Sequence, residues 1–283
     1  MEYREFGKTG FNVSLIGMGT YYDPLWIMLA YLFGIRRHSK RSVSALKLGL
    51  DNGINLIDTA EIYQTESLVA EAIEGRKRDE LFIASKVWWN HLRHNAVLNA
   101  CERSLRRLKT NYLDLYQIHF PNSRVPIKET MQAMEKLVDD GKIRHIGVSN
   151  FSFKQMINAE NALSKHELVS TQMHYNLAHR DIERDILPHC EAERITVLAY
   201  FPLAHGKLAG RKMSSTQVYR QISSKNGDKT PAQVTLNWLC SKSDLVFPIP
   251  RGSNGQHVKE DIGAVGWRLD ESDMELLNKA FPI

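Results

Sequence analysis

Residues 54–60 read I-N-L-I-D-T-A, a short apolar run that ends on a carboxylate. Seven other runs of this kind are rich in apolar and β-branched residues: V-S-L-I-G-M-G-T at 13–20, L-F-I-A-S-K-V at 81–87, Y-L-D-L-Y-Q-I-H-F at 112–120, I-R-H-I-G-V-S-N at 143–150, L-V-S-T-Q-M-H-Y-N at 168–176, I-T-V-L-A-Y at 195–200 and L-V-F-P-I-P-R at 245–251. Longer segments with helical patterns separate the runs. Near-continuous apolar strands that alternate with helices predict a parallel sheet with both faces covered.

The helical signals between the runs support this alternation. One apolar stripe closed by Gly141 predicts a helix before that glycine, and its members are Ile127, Met131, Met134 and Val138. Thr230 followed by Pro231 provides an N-cap and a first-turn proline. Eight strands with eight helical intervals predict an α/β fold, a closed (β/α)8 TIM barrel, in a single domain over residues 1–283.

Two features of the N-terminal region refine the fold. An open, doubly wound sheet is the weaker alternative, because the first run continues as G-M-G-T-Y-Y at 17–22 and lacks the third glycine of a dinucleotide-binding G-x-G-x-x-G motif. Residues 2–13 contain two extended stretches around K-T-G at 8–10. They predict a short β-hairpin that covers the N-terminal end, the bottom, of the barrel.

Composition excludes several classes of protein. With 283 residues, 43% hydrophobic and 24% charged, the chain is long enough to bury a large core. Its net charge of +5 is mild and mostly scattered, so we expect no nucleic-acid partner. The three cysteines, Cys101, Cys190 and Cys240, are far apart and lack metal-ligand spacing, which predicts no metal site and a reducing, cytoplasmic location.

No segment of the sequence predicts a membrane span or a signal peptide. The first residues, M-E-Y-R-E-F-G, are charged and mixed. The apolar stretch W-I-M-L-A-Y-L-F-G-I at 26–35 is too short to cross a bilayer. We expect it to form a lid or a subunit contact, with peripheral membrane contact as a minor alternative. The protein is expected to be a monomer or a small homo-oligomer.

A polar or aromatic residue stands at the carboxyl end of every predicted strand. These residues are Thr20, Asp58, Lys86, His119, Ser149 with Asn150, Gln172, Tyr200 and Arg251. In a barrel, the carboxyl ends of the strands meet on the one face where active sites are built. Any one of these residues could simply form a turn in which its side chain hydrogen-bonds unpaired backbone groups. Eight of them together predict a functional site.

Three of these strand-end residues, together with Tyr63 from a following loop, suggest acid–base chemistry. Asp58 ends one strand, Lys86 ends the next, and Tyr63 follows Asp58 on a loop. A phenol with a pKa near 10 is a poor proton donor at neutral pH unless a cation lies close. Lys86 can supply that cation, Asp58 can hold it, and the imidazole of His119 can fix a substrate oxygen or relay a proton.

On these motifs the sequence resembles the aldo-keto reductase family, and in particular its prokaryotic and archaeal-type members. The matching segments, in family order, are I-N-L-I-D-T-A-E-I-Y, I-A-S-K-V, L-Y-Q-I-H, I-G-V-S-N-F, Q-M-H-Y-N, A-Y-F-P-L-A-H-G and P-I-P-R-G-S, from about residue 3 to residue 270. The resemblance implies reversible hydride transfer between a nicotinamide cofactor and the carbonyl group of an aldehyde or ketone. It further implies that Tyr63 protonates the carbonyl oxygen, that Lys86, anchored by Asp58, lowers the Tyr63 pKa, and that His119 orients the carbonyl.

The resemblance also implies the cofactor and substrate residues. NADP(H) is the expected cofactor, with NAD(H) possible. The implied cofactor-binding residues are Gly19, Thr20, Tyr21, Asp58, Ser149, Asn150, Gln172, Tyr200, Phe201, Pro202, Leu203, Ile249, Arg251, Gly252, Ser253, His257, Glu260 and Asp261. A small carbonyl or alcohol substrate is expected to contact Tyr22, Trp88, His119 and Phe120. Trp26 and Trp89 could join the same aromatic wall, but packing at the rim of the barrel explains them equally well.

Two positions depart from the family pattern and bear on cofactor preference. Phe201 stands where the family often has serine, and His257 stands where many NADPH-preferring members have arginine. Both changes are expected to weaken the binding of the cofactor's phosphates. The acidic residue Glu61, inside the D-T-A-E-I-Y segment, is expected to lie on the surface as part of a turn.

Two other functions stay open on the sequence. One is a cofactor-binding regulatory barrel with little turnover, and reduction of 4-nitrobenzaldehyde by NADPH would separate it from a reductase. The other is a barrel lyase or aldolase that uses Lys86 as a Schiff-base amine, which borohydride trapping would reveal. The complete set of Asp58, Tyr63, Lys86 and His119 favours the reductase.

Overall fold

The computed structural model describes residues 1–22, 24–33, 39–214 and 216–282. Within these ranges, two short strands form an antiparallel hairpin, β1 (Tyr3–Glu5) and β2 (Asn12–Ser14). The other strands form one parallel sheet in chain order: β3 (Met18–Gly19), β4 (Leu56–Asp58), β5 (Phe82–Val87), β6 (Leu113–Ile118), β7 (Ile143–Ser149), β8 (Leu168–His174), β9 (Thr196–Tyr200) and β10 (Val246–Pro248). Each strand pairs with the next in sequence, as the alternating pattern predicts.

Backbone contacts between the first and last strands of this sheet close the barrel. Gly19 forms a parallel bridge with Arg251. The amides of Gly17 and Gly19 donate to the carbonyls of Pro248 and Pro250, at 3.0 and 2.8 Å. The (β/α)8 prediction is therefore confirmed. The predicted run at 13–20, however, is two elements, because β2 ends at Ser14 and β3 begins at Met18.

Helices cover the outside of the sheet. Their bounds are α1 (Pro24–Phe33), α2 (Ser39–Asp51), α3 (Glu66–Ile73), α4 (His94–Leu108), α5 (Ile127–Asp139), α6 (Phe153–Glu160), α7 (Ile186–Glu193), α8 (Arg211–Ser214), α9 (Gln217–Lys225), α10 (Pro231–Lys242), α11 (Gly255–Ile262) and α12 (Glu271–Ala280). The predicted stripe before Gly141 is α5. The predicted cap at Thr230 is a full capping box, in which Thr230 and Gln233 satisfy each other's backbone amides at the start of α10.

The hairpin packs against the N-terminal end of the barrel. The ring of Phe6 lies 4.4 Å from that of Phe82, which opens β5, and 5.8 Å from that of Phe247 in β10. Arg194, just before β9, donates to the carbonyl of Gly7 at 3.0 Å. Gly7 has a φ of +61°, and a Cβ there would come within 2.8 Å of the Arg194 carbonyl, so this close approach requires glycine. The predicted bottom plug is confirmed.

The apolar stretch at 26–35 coincides largely with α1. Leu32 and Phe33 are 58% and 68% exposed at the end of this helix, while residues 34 and 35 and the side chain of Trp26 lie outside the described residues. The lid or subunit contact stays a prediction. In the described ranges, no helix combines the length and the apolar character that crossing a bilayer requires.

Candidate active site

The centre of the site is a buried ion pair between neighbouring strands. Asp58 ends β4 and pairs in register with Ala84 of β5, so Lys86, two residues further on, presents its side chain on the same side of the sheet. The Lys86 ammonium donates to both carboxylate oxygens of Asp58, at 2.8 and 2.7 Å, and to the Thr59 carbonyl at 2.8 Å. Lys86 is fully buried and Asp58 is 3% exposed. The predicted pairing of these two residues is present.

Tyr63 and His119 meet in front of this ion pair. Tyr63 ends a short 3-10 helix at Glu61–Tyr63. Its hydroxyl oxygen lies 3.2 Å from Nε2 of His119, which follows β6. The Lys86 nitrogen lies 5.0 Å from the centre of the Tyr63 ring. The structure thus brings together all four residues that the sequence singles out for acid–base chemistry.

Burial controls the ionisation of these side chains. Burial, and then the charge of Asp58, raise the pKa of the Tyr63 phenol well above its usual value. Burial and Asp58 thus set the overall direction of the shift, and the opposing effect of Lys86 on this pKa stays a prediction. Burial also lowers the pKa of Lys86, against the effect of Asp58. Burial and the Lys86 charge lower the pKa of His119 well below its usual value, so its imidazole is neutral at neutral pH.

A second group of polar side chains adjoins the ion pair. The Gln172 amide donates to Asp58 at 2.8 Å, and the Ser149 hydroxyl donates to the Gln172 carbonyl at 3.0 Å. The Asn150 amide nitrogen lies within hydrogen-bond distance of the His119 carbonyl and the Ser149 hydroxyl, and its oxygen accepts from the Tyr200 hydroxyl at 2.7 Å. Asn150 has a φ of +61°. Asparagine adopts this left-handed conformation more readily than most residues.

Aromatic side chains form one wall beside His119. The Trp88 ring lies 5.1 Å from the imidazole, edge to face, and the Phe120 ring stacks on the imidazole at 5.0 Å. Tyr22 makes no ring contact with this wall within the described ranges. Trp89 is 41% exposed and stays a candidate for rim packing. Of the predicted substrate residues, Trp88, His119 and Phe120 are therefore brought together.

The turn after β9 and the loop after β3 face each other. The Tyr21 ring lies 5.2 Å from that of Tyr63 and 5.7 Å from that of Phe201. Phe201 has a φ of +49°, and its carbonyl accepts from the Asn176 amide at 2.9 Å. The turn continues through Pro202 and Leu203, which are buried and half-buried respectively. Because residue 201 is phenylalanine where the family often has serine, an aromatic ring lies at this position among the other aromatic groups of the site.

Thr20 and Gly19, two of the predicted cofactor-binding residues, make close contacts within the barrel mouth. The Thr20 hydroxyl lies 2.8 Å from that of Thr65, and a Cβ on Gly19 would lie 3.0 Å from the Ile249 carbonyl. Thr20 is thus held against the residue that precedes α3, and Gly19 fits closely against the residue that follows β10.

The last group of predicted cofactor residues lies around the start of α11. Ile249 and Gly252 are buried, Ser253 is half-buried, and Arg251 donates to the Tyr22 carbonyl at 2.7 Å. Further along α11, His257 is exposed and Glu260 is half-buried. Asp261 is 4% exposed, and burial, with Glu260 nearby, raises its pKa to about 8. No contact joins these α11 residues to the four acid–base side chains within the described ranges.

Glu61 occupies a place that the sequence pattern does not predict. The expectation of a surface position is wrong, since Glu61 is 8% exposed. Its carboxylate binds Arg103 of α4, the Trp88 amide and His91. An acidic residue can be buried here because three donors surround it. A sign in the sequence was its place between Asp58 and Tyr63, inside a segment that already carries two site residues.

The chain is similar in sequence and in fold to proteins of one enzyme family. The sequence profile of the Aldo/keto reductase family matches residues 36–281. Methylglyoxal reductase YeaE of Escherichia coli is 38% identical over 277 residues, which cover 96% of this chain and 93% of YeaE. The crystal structure of the thermostable aldo-keto reductase Tm1743 with the inhibitor epalrestat has a TM-score of 0.88 at 37% identity, covering 99% of both chains. An aldo-keto reductase from Klebsiella pneumoniae, solved with NADPH, has a TM-score of 0.84 at 35% identity, covering 96% of this chain and 92% of that one.

Across the described residues, no group of three or more His, Cys, Asp or Glu side chains is arranged to hold a metal ion.

Proposed function

This chain belongs to the aldo/keto reductase family, and we propose that it reduces small aldehydes and ketones to alcohols, reversibly, with Tyr63 as the proton donor. It is an oxidoreductase that acts on carbonyl groups. The proposal extends to one barrel domain over residues 1–283 that works as a monomer or a small homo-oligomer.

The observation that carries the proposal is the pair formed by Tyr63 and His119. Their polar atoms lie 3.2 Å apart, close enough for one ligand oxygen to contact both. A carbonyl oxygen placed there accepts a hydrogen bond from the phenol and one from the neutral imidazole. As the carbon gains hydride, the oxygen becomes strongly basic and takes the Tyr63 proton. The Lys86 charge near the ring stabilises the phenolate that this leaves.

The polar group beside the ion pair suits a nicotinamide. Its two amides, Asn150 and Gln172, and the Ser149 hydroxyl offer both donors and acceptors, which a carboxamide requires. The half-buried Tyr200 ring stacks on His174 at 5.5 Å, and we propose that its other face supports the nicotinamide ring. When bound, the nicotinamide supplies the hydride. These residues hold its ring against the position where Tyr63 and His119 orient the carbonyl.

NADP(H) is the proposed cofactor, with NAD(H) as a second possibility. The K. pneumoniae relative was solved with NADPH. Arg251, in the segment before α11, offers a guanidinium to a 2′-phosphate, while Ser253 and the exposed His257 lie in the same region. Gly19, Thr20 and Tyr21 are proposed to line the ribose, Phe201–Leu203 the pyrophosphate, and Glu260 and Asp261 the adenosine.

A small oxo-aldehyde is the proposed substrate class. The relative YeaE is named a methylglyoxal reductase. In this chain, Trp88 and Phe120 approach His119 closely from one side, so a compact carbonyl compound fits beside the imidazole. An aromatic aldehyde would stack along the same wall.

The lyase alternative conflicts with the geometry of Lys86. All three ammonium hydrogens have acceptors in Asp58 and Thr59, and the side chain is fully buried. A Schiff-base amine must present a free lone pair to a carbonyl carbon, and the three acceptors around this buried ammonium disfavour that. No contact in the described ranges favours the regulatory alternative.

The test is steady-state turnover of the purified chain. NADPH and NADH are each offered with methylglyoxal and with 4-nitrobenzaldehyde, and the loss of reduced nicotinamide is followed. We expect both aldehydes to be reduced, with a lower KM for NADPH than for NADH. Tight NADPH binding without turnover would favour the regulatory barrel, and borohydride trapping of an aldehyde on Lys86 would favour the lyase.

A further inference from the structure

The carboxylate of Glu61 connects three separate segments around the site. Its Oε1 accepts from Arg103 of α4 at 2.9 Å and lies 3.0 Å from Nδ1 of His91. Its Oε2 accepts from the backbone amide of Trp88 at 3.1 Å. Glu61 itself opens the 3-10 helix that ends at Tyr63. One side chain therefore joins the turn of the proton donor to the segment that follows β5.

These contacts explain how a carboxylate is tolerated in a buried place. Burial disfavours its charge, but the hydrogen bonds from Arg103, the Trp88 amide and His91 outweigh this and hold the Glu61 pKa below its usual range. A charged carboxylate with charge-assisted bonds from several directions is a rigid link. Removing it leaves the Trp88 amide and the Arg103 guanidinium without this acceptor.

Both ends of the link lead to the reacting position. Two residues after Glu61, the Tyr63 hydroxyl lies 3.2 Å from His119. At the other end, the Trp88 ring packs against the same imidazole at 5.1 Å. A movement of either segment changes the distance from the phenol to the substrate oxygen or the shape of the wall beside it.

We propose that Glu61 is a positioning residue for carbonyl reduction, which sets the Tyr63 hydroxyl and the Trp88 ring at a fixed separation across the substrate position. This rests on the proposed function of Tyr63. Glu61 touches neither the substrate nor the reacting atoms; it acts through the two segments it joins.

The test variant is Glu61→Gln, which keeps the size of the side chain and an acceptor for the Trp88 amide but loses the charge that Arg103 requires. Because misplacement of reacting groups by about 1 Å can cost up to about 100-fold, we expect kcat for methylglyoxal to fall about tenfold. The KM for 4-nitrobenzaldehyde should rise more than that for methylglyoxal, since the larger aldehyde depends on Trp88. Glu61→Asp, which keeps the charge, should recover part of the loss.

A matched control comes from the same region. Glu129 also accepts from an arginine, Arg93 at 2.9 Å, and from a backbone amide, that of His94 at 3.1 Å. Within the described ranges it contacts neither the Tyr63 helix nor Trp88. Glu129→Gln should therefore leave kcat and both KM values within about twofold of the parent protein.

A kinetic isotope effect separates positioning from a general loss of structure. With deuterium as the transferred hydrogen of NADPH, Glu61→Gln should show a larger isotope effect on kcat, because a misplaced donor slows the chemical step relative to product release. A variant that is merely partly unfolded loses kcat with an unchanged isotope effect, and that result overturns the proposal. Parent-like kinetics in Glu61→Gln overturn it as well. If the parent protein itself fails to reduce either aldehyde, the proposed function falls first and the role of Glu61 falls with it.

Discussion

The Tyr63 hydroxyl and the His119 Nε2 atom lie 3.2 Å apart although 56 residues separate them in the sequence. Tyr63 follows β4 and His119 follows β6, and β5 lies between these strands. β5 contributes Lys86, whose ammonium binds Asp58 behind the pair. Three consecutive barrel strands thus deliver a proton donor, a neutral imidazole and a buried cation to one position.

The pH dependence of the two directions of reaction follows from these side chains. Because the pKa of Tyr63 is raised, its phenol stays protonated to higher pH, and because the pKa of His119 is lowered, its imidazole stays neutral to lower pH. Reduction requires both of these forms, so its kcat should be flat between about pH 6 and about pH 8.5. Alcohol oxidation requires the ionised phenol and should accelerate as the pH rises. Rate profiles in both directions check this, and a fall in reduction kcat centred near neutral pH would count against it.

The buried ion pair predicts a coupled effect on stability. Lys86→Met leaves the Asp58 carboxylate buried without its cation, which should lower the free energy of unfolding by about 3–5 kcal/mol. The double variant Lys86→Met with Asp58→Asn removes both charges and should regain much of that loss while staying inactive. Urea denaturation followed beside turnover measures both. Equal stability of the single and double variants would contradict the pairing.

The region before α11 predicts how the cofactor is chosen. Arg251→Ala should raise the KM for NADPH by about 10–100-fold, the usual value of charge-assisted hydrogen bonds, and leave the KM for NADH nearly unchanged. His257→Arg should act in the opposite direction, by adding a guanidinium to the same region. Lys259→Ala, on α11 as well, serves as the control for a general loss of positive charge. A parallel rise in KM for both cofactors would show that Arg251 does not bind the 2′-phosphate.

Much of the site was readable from the sequence because barrel topology converts strand order into spatial order. Once eight parallel strands are recognised, the residues at their carboxyl ends must share one face, so Asp58, Lys86 and His119 can be grouped from the strand pattern alone. The same reasoning predicted the adjoining polar group of Ser149, Asn150 and Gln172. The hairpin and the N-cap at Thr230 depend on local sequence and were also predicted correctly.

The errors come from features that local sequence does not determine. Glu61 is buried because Arg103, 42 residues away, is brought to it by the packing of α4. The overall direction of the Tyr63 pKa shift could not be predicted either, because it depends on the balance between desolvation and nearby charges, which strand order does not give. The division of residues 13–20 into β2 and β3 likewise reflects the passage from the hairpin to the barrel wall, which an apolar run alone conceals.

The substitution Tyr63→Phe tests the assignment of the proton donor most directly. It removes the hydroxyl that faces His119 and retains the ring that packs against Tyr21. Turnover of methylglyoxal and the Kd for NADPH are measured on the parent protein and the variant under the same conditions. We predict that kcat falls by about 10²–10⁴-fold, as expected for the loss of a general acid, while the Kd for NADPH stays within about twofold. Full turnover in Tyr63→Phe would contradict the assignment of Tyr63 as the proton donor.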